Sequence, residues 1–462
     1  MNSKPYLLKI TCLFLLVAPL VSYGQAPSLS YLAEKALEKN YDLANKKLSI
    51  SSERETQKSI NEAYLPRLEA GGKYSYVTGD LTVDLPSTSL PLLNIPLFEE
   101  SKSFNSSTNL WAADLTASML LFSGTKVPKL NKAIEQKIKG QTLLLEIDRQ
   151  EVIDQVSQAY DQLALLRQVD VVLSESEKRL EAEKKTAHKA FEYGLITSFE
   201  KNKIEVAQAA LDAKKQEFSG KKRLLLSQLN QLTGIPTNEL ERINENLNPY
   251  ALINTNDNID KRPEIAALDA AIKANRFKIE AEKTYWIPKV QAVASAKYLG
   301  LTNSKLKTPY NNPINNTPIE FRANKIEAFP TYFVGVGFKW DLFDGFKGKR
   351  EVNKAKIELQ QAENNQKKAS ELLNLNLEKA RIDYEVANKQ MASGVKRKEM
   401  AEKALHIASK EYNVGLIKPS DRIVAENDFQ QAALDYLQTV FNQRRAAFNY
   451  LKATGTLTID KL

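Results

Sequence analysis

The chain repeats itself, and that limits the folds open to it more than any other feature. Leu121-Phe122-Ser123-Gly124 recurs as Leu342-Phe343-Asp344-Gly345, Gly194-Leu195-Ile196 as Gly415-Leu416-Ile417, and Leu232-Thr233-Gly234 as Ala453-Thr454-Gly455, each at an offset of 221 residues. Ala159 and Ala380 keep that offset, and Tyr64-Leu65-Pro66-Arg67 pairs with Trp286-Ile287-Pro288-Lys289 at 222. One offset held across a half-chain means two copies of one unit. Each copy has the same order: helix, strand, polar loop, strand, very long helix, glycine turn, long helix.

The long helices are the first reading of that order. Val152, Val156, Ala159, Leu163, Leu166, Leu173, Leu180, Ala187 and Phe191 recur at steps of three, four and seven, the spacing of a coiled-coil seam. From Lys126 to Glu192 the only proline is Pro128 and the only glycine Gly140. At 1.5 Å per residue such a helix is roughly 100 Å long. The second copy predicts its counterpart from Lys347 to Tyr412. Helices of this length predict a bundle or tube.

Between them lie runs of period two. Trp111 to Met119 places Asp114, Thr116 and Ser118 opposite an apolar set, and Tyr332, Val334, Val336, Phe338, Trp340 and Leu342 oppose Lys339 and Asp341. Arg67, Glu69, Lys73 and Ser75 alternate against Leu68, Ala70, Tyr74 and Tyr76; Val290 to Tyr298 repeats the pattern against Gln291, Ser295 and Lys297. Each run matches the 9–11 residues that a tilted strand needs to cross a bilayer. Segments 79–107, with Pro86, Pro91 and Pro96, and 300–330, with Asn311, Asn312, Asn315 and Asn316, read as long exterior loops.

The N-terminus sets the compartment. Lys4 and Lys9 precede the apolar run Ile10 to Ala18, and Ser22-Tyr23-Gly24-Gln25 follows, which predicts a secretory leader over 1–24. Cys12 is the one cysteine and lies inside that leader, so the mature chain has no disulfide or thiolate metal site. No later segment reads as a membrane-spanning helix, so any span must be β. The net charge of +9, or +7 without Lys4 and Lys9, comes from 65 basic residues interleaved with 56 acidic ones. That is no nucleic-acid footprint.

Four strands cannot close a membrane barrel, since the smallest have eight. An open edge in lipid leaves backbone groups without partners at several kcal/mol each. The strands must therefore be shared between chains, with eight in a dimer or twelve in a trimer. Arg67, Lys73, Asp114, Lys339 and Asp341 would then line a water-filled lumen.

The Tyr-Leu-Pro and Trp-Ile-Pro strand starts, the Leu-Phe-x-Gly strand ends and the Gly-Leu turns opening onto 205–211 and 425–434, in this order and twice, resemble the TolC-family outer-membrane efflux proteins. The resemblance covers the whole mature chain. It implies a mainly α fold with membrane β: four strands per protomer, a homotrimer forming a 12-stranded β-barrel, and a long coiled-coil-like α-barrel in the periplasm. It also implies an outer-membrane exit duct that passively passes small molecules, docked to a periplasmic adaptor (a membrane fusion protein) and an inner-membrane efflux transporter. The first repeat would span 25–235, an equatorial segment 236–261, the second repeat 262–455 and a tail 456–462. The duct of a type I protein-secretion system shares this architecture, and a periplasmic coiled-coil scaffold without a pore is the reading from another class.

By the same resemblance Gly194, Leu195, Gly415 and Leu416 are the periplasmic tip where the adaptor docks. Read locally, the glycines supply the backbone freedom of a helix C-terminus. Asp421, six residues past Gly415, matches the first of two aspartates that ring the constriction in the best-known member of that family; Val424 stands at the second position. Its alternative is a first-turn acid like Glu200 in Thr197-Ser198-Phe199-Glu200, a capping box. His188 and His406 lack ligand-spaced partners, and no phosphate loop, nucleophile elbow or HExxH motif is present. The sequence predicts no enzyme and no cofactor.

Overall fold

A proline-poor stretch with an apolar residue every third or fourth position satisfies its backbone most simply as helix, and the chain does this twice at the same length. Helices α3 (Lys126–Glu192) and α7 (Lys347–Asn413) each run 67 residues. The computed structural model describes residues 26–84, 88–89, 96–98, 102–252, 259, 262–312 and 314–462. The expected leader, Pro86, Pro91 and residues 253–258 and 260–261 lie outside the described residues. The remaining helices are α1 (Leu29–Lys39), α2 (Tyr41–Asn61), α4 (Ser198–Thr233), α5 (Thr237–Leu240), α6 (Pro263–Glu282) and α8 (Pro419–Ala453). Strands β1 (Arg67–Val83), β4 (Lys102–Phe122), β5 (Lys289–Asn311) and β6 (Pro318–Lys339) form one sheet, and β2 (Thr88–Ser89) pairs with β3 (Pro96–Phe98). No described helix is long and apolar enough to cross a membrane.

Two compact units divide the chain. One holds the described residues of Met1–Leu43, Asp148–Asp257 and Leu375–Leu462; its core is the seam read from the sequence. Val152, Val156, Ala159, Leu163, Leu166, Leu173, Leu180 and Ala187 are all buried, whereas Phe191 is 39% exposed, its ring under Lys201 Nζ at 5.3 Å. Leu165, Leu173 and Leu180 pack with Leu211 of α4 and Val440 of α8. Burying one such leucine stabilises by about 1.5–3 kcal/mol.

Charge is buried beside that apolar seam. Arg444 Nε donates to Asp161 Oδ1 at 2.7 Å, Arg445 pairs with Asp154, and Lys452 Nζ lies 3.0 Å from Asp154 Oδ2. The inter-repeat chain is tied to the same place: the Tyr160 hydroxyl donates to Glu245, and Tyr250 N donates to Gln443 Oε1 at 2.9 Å. Burial raises the Asp154 carboxyl, but Arg445 and Lys452 more than reverse this and leave it below the ordinary range. Asp161 differs. Its Oδ2 has no hydrogen-bond partner, and burial outweighs Arg444 and Arg445, pushing its carboxyl up to about 6.

The second unit, Ala44–Ile147 with the described part of Asn258–Asn374, holds the sheet and the helix segments beside it. Gly140 of α3 has a packing role there: a Cβ would lie 3.3 Å from the Ala267 carbonyl of α6, so glycine permits the close approach. Lys126–Glu282 (2.8 Å) and Lys137–Glu53 (2.6 Å) hold α6 and α2 to α3.

The strands run well past the expected lengths, to 17, 21, 23 and 22 residues. Segments 79–107 and 300–330, expected as loops, are largely paired: β1 and β4 stay in register to Val83↔Lys102, and only residues 312–317 separate β5 from β6. Backbone pairing needs no apolar face where both faces meet water, so the alternation read over 67–76, 111–119, 290–298 and 332–338 does not continue in phase into the strand ends that meet at the two hairpin connections. Strand β6 also stops at Lys339, which leaves Asp341 in irregular chain.

The raised Asp161 carboxyl gives a signed expectation. A carboxyl that holds its proton more tightly folded than unfolded contributes stability below the ordinary value of 3.8 that is lost as pH rises through about 6. Asp161→Asn removes that loss. Thermal unfolding at pH 4 and pH 7 should show the variant gaining on the native chain by on the order of 2–3 kcal/mol across the interval; an unchanged difference would show that Asp161 is not the linked group.

Candidate functional site: a two-faced sheet and two matched hairpin turns

In the sheet order β1-β4-β5-β6 every pairing is antiparallel, so each repeat supplies one hairpin and the two lie side by side through β4 and β5. The register sorts side chains onto two faces. Arg67, Glu69 and Lys73 of β1 stand opposite Ser118, Thr116 and Ala112 of β4. Asp114 stands opposite Lys297 of β5, and Lys289 opposite Lys339 of β6. Arg67, Lys73, Asp114 and Lys339 thus share one face, as expected; Asp341 lies beyond the strand. Glu69, Lys289 and Lys297 belong to the same face, and the period-two alternation was the signal for them.

No charge lies on the other face over this stretch. It carries Leu68, Ala70, Leu115, Ala117, Ala292 and Ala294, and on β6 Tyr332, Val334, Val336 and Phe338. Its large apolar groups are open to solvent in the single chain, with Tyr332 73% and Val334 83% exposed. Aromatic rings bound the band. At one end Tyr74 and Trp111 meet with ring centroids 4.5 Å apart and planes tilted by 47°, and Tyr332 lies on β6 opposite Ala296; at the other the Trp340 indole donates to the Trp286 carbonyl at 2.8 Å, with Phe343 and Phe346 edge-on at 5.4 Å. Eight residues separate Tyr332 from Trp340, about 26 Å of extended chain at ~3.3 Å per residue, which is the scale of the lipid-facing band of an outer-membrane barrel.

Beyond Tyr76 and Trp111 the polarity reverses. The formerly apolar face continues as Thr78, Asp80 and Thr82 on β1 and Asn109, Ser107 and Asn105 on β4, while the charged face becomes Val77, Leu81, Phe104 and Leu110. The β1–β4 register does not slip here, so the reversal between these two strands is in the sequence itself, whereas the β4–β5 register shifts between Ser107 and Asn109. Asn105 Nδ2 donates to Asp80 Oδ1 at 3.1 Å across the new polar face.

In the helical unit, the two hairpin turns are built alike. After α3, Leu195 N donates to Ala190 O at 2.8 Å and Gly194 N to Phe191 O at 2.9 Å; after α7, Leu416 N donates to Glu411 O at 2.8 Å and Gly415 N to Tyr412 O at 2.9 Å. Gly194 (φ 71°) and Gly415 (φ 78°) occupy the left-handed region that closes such a motif. Leu195 and Leu416 project into solvent, 76% and 74% exposed. Thr197 Oγ1 caps α4 by accepting from Glu200 N at 3.3 Å. The Glu200 carboxylate turns away from the expected capping box: its Oε2 accepts from Ser420 N of α8 at 3.1 Å and joins the two hairpins. Asp421 is exposed, and its Oδ2 accepts from Lys418 N at 3.4 Å, the reach-back of a first-turn acid.

Behind the turns lies a set of polar links that the periodicity did not mark. Arg422 of α8 pairs with Glu183 of α3 at 2.7 Å, and the Arg179 guanidinium of α3 grips both oxygens of the fully buried Glu426 of α8 at 2.8–3.0 Å. Burial and a hydrogen bond with Glu183 push the Tyr412 phenol of α7 up to about 12. In sequence these are ordinary helical charges; only packing shows that they face inward. His188 is exposed, 3.7 Å from Glu192, and among the described residues no group of three His, Cys, Asp or Glu side chains could hold a metal.

The comparisons with known proteins agree with this geometry. No curated protein sequence matches the chain. Among solved structures, it is similar to the CmeC outer membrane channel of Campylobacter jejuni (TM-score 0.69, 15% identity, 93% of this chain and 86% of that one). It is also similar to the outer membrane protein VceC of Vibrio cholerae (0.67, 15%, 92% and 96%) and to the open state of the MtrE outer membrane channel of Neisseria gonorrhoeae (0.67, 16%, 94% and 91%). A family model described as Outer membrane efflux protein matches residues 32–235 and 255–456, taking in both copies of the repeat. With its girdled sheet and its paired hairpins of long helix, this chain belongs to the outer membrane efflux protein family.

Proposed function

We propose that three copies of this chain form the outer-membrane exit duct of a tripartite efflux assembly, a passive conduit driven by its partners. The observation that carries the reading is the sheet: a lipid-scale apolar face bounded by aromatic rings, a charged opposite face, and β1 and β6 as unpaired edges. In lipid those edges need partners, and copies of the same sheet supply them. Twelve strands then close a barrel around Arg67, Lys73, Asp114 and Lys339, with Asp341 at its rim. Support for like copies also comes from α7. Leu375, Ile382, Val386, Met400 and Ile407 are exposed in the single chain at coiled-coil spacing, a seam awaiting another helix.

The helical hairpins extend into the periplasm in this reading. The turns at Gly194-Leu195 and Gly415-Leu416 present apolar side chains to an adaptor, which connects the duct to an inner-membrane transporter. The Glu183–Arg422 pair, the Tyr412 contact and the Arg179–Glu426 clamp hold the hairpins of one protomer together, and adaptor binding favours an arrangement in which they part. Asp421, repeated three times around the axis, places carboxylates at the narrowed end in addition to capping α8.

Three measurements test this. The detergent-purified protein should have the mass of three chains and give discrete, stable conductance in planar bilayers; a single-chain mass without conductance would return the helices to a scaffold role. Arg422→Ala combined with Glu183→Gln should raise single-channel conductance severalfold by loosening the hairpins, and conductance equal to the native value would remove them as a latch. Asp421→Asn keeps an acceptor for the Lys418 N–H and removes the charge. It should weaken block by multivalent cations about tenfold; unaltered block would leave Asp421 with its capping role alone.

A further inference from the structure

We propose that the barrel lumen prefers anions, and that Lys73, Lys289 and Lys339 set this preference. The inference rests on the reading of the sheet as one third of a closed barrel and adds to it the class of solute that passes most readily.

The charges of the sheet are segregated and unequal. Between Arg67 and the register shift after Lys297, the charged face carries Arg67, Lys73, Lys289, Lys297 and Lys339 against Glu69 and Asp114, a net +3 per chain. The opposite face carries none, so no acid behind the wall offsets the excess. Each of the two acids has a basic neighbour on the same face. Glu69 lies two residues from Arg67 on the same face of β1. Asp114 stands opposite Lys297, its carboxylate leaning over Gly71, where a Cβ would come within 2.7 Å of it. Lys73 faces only Ala112, and Lys289 faces Lys339 directly. Like charges directly opposite each other destabilise a strand pair, and neither lysine makes an ion pair among the described residues, so packing does not account for that juxtaposition. A lumen that draws anions between them does.

Three chains bring the excess to nine charges around one axis. Twelve strands about 4.8 Å apart and tilted by about 40° give a backbone radius of about 12 Å, and side chains narrow the water column further. That is comparable with a Debye length of about 10 Å at 0.1 M salt, so the field of the wall reaches the axis and is focused by the low-dielectric barrel. Rings of basic side chains select anions in this way. The solutes favoured are organic anions, carboxylates and sulfonates among them, over cations of equal size.

The test is the reversal potential of the full-length protein carrying Asp421→Asn, which removes the carboxylates proposed for the narrowed end, in planar bilayers under a tenfold KCl gradient at low ionic strength. This channel should reverse on the chloride side, with a chloride-to-potassium permeability ratio of about 3 or more, collapsing toward 1 near 1 M salt, and the lysine changes are made in the same background. Lys289→Gln with Lys339→Gln should at least halve the ratio. Lys73→Gln, a single exposed change on another strand, should lower it independently and serves if the double variant does not assemble. Arg322→Gln on β6, beyond the aromatic band, should leave it unchanged. A cation-side reversal, or lysine variants that leave the ratio unchanged, would overturn the anion preference while the duct stands. Absence of any discrete conductance, with a single-chain mass, would overturn the barrel reading itself and the preference with it.

Discussion

A β-strand edge cannot be left open in lipid, and the rest of this protein follows from that constraint. Each repeat contributes one hairpin, the two hairpins join through β4 and β5, and β1 and β6 remain as edges beside an apolar, ring-bounded face. In water a four-stranded sheet with open edges is an aggregation risk; in a bilayer each unpaired N–H and C=O costs several kcal/mol. In the proposed assembly, closure with like copies removes the cost and turns the charged face into the wall of a water column. On that proposal, assembly, membrane crossing and conduction are three consequences of one requirement.

The duplicated sequence does not yield duplicated roles. Both hairpin turns close on the same two backbone bonds and a left-handed glycine, because a turn of this kind is decided within six residues. The polar links behind the turns are not repeated. Glu183 and Arg179 of α3 meet Arg422 and Glu426 of α8, whereas the Glu200 carboxylate of α4 goes to the Ser420 N–H. Burial is uneven as well: α8 is packed along most of its length, while α7 keeps an exposed apolar seam. Such asymmetry suits a part that must both pack within its own chain and present a face to others.

Much of the fold could be read from residue spacing. The seam from Val152 to Ala187 is buried as its period requires, and Arg67, Lys73, Asp114 and Lys339 fall on one face as alternation requires. The reading failed where period carries no information. Residues 102–110 are largely polar, and they pair with β1 through backbone groups that leave no side-chain signature. Phe191 kept the seam's spacing but lies near the end of its helix, where fewer neighbours remain to cover it. Asp341 kept the alternation, but β6 had already ended. The site was legible to the same degree: its turn glycines and strand charges were marked by pattern, while Glu183, Arg422 and Glu426 looked like any charges on a helix.

What the sequence determined alone is therefore local and periodic: two repeats, helices of 67 residues, the two faces of each strand and the glycine turns, because each depends on neighbours within a few residues or on a period of two or seven. Only the tertiary structure decided the strand register, and with it which charges meet. It set Asp114 against Lys297 and Lys289 against Lys339, turned Glu200 toward Ser420, and left Asp161 buried with one oxygen unpaired. These pairings join residues tens to hundreds of positions apart, and no local preference specifies them. They arise when long elements dock and each charge must find its partner or go without one.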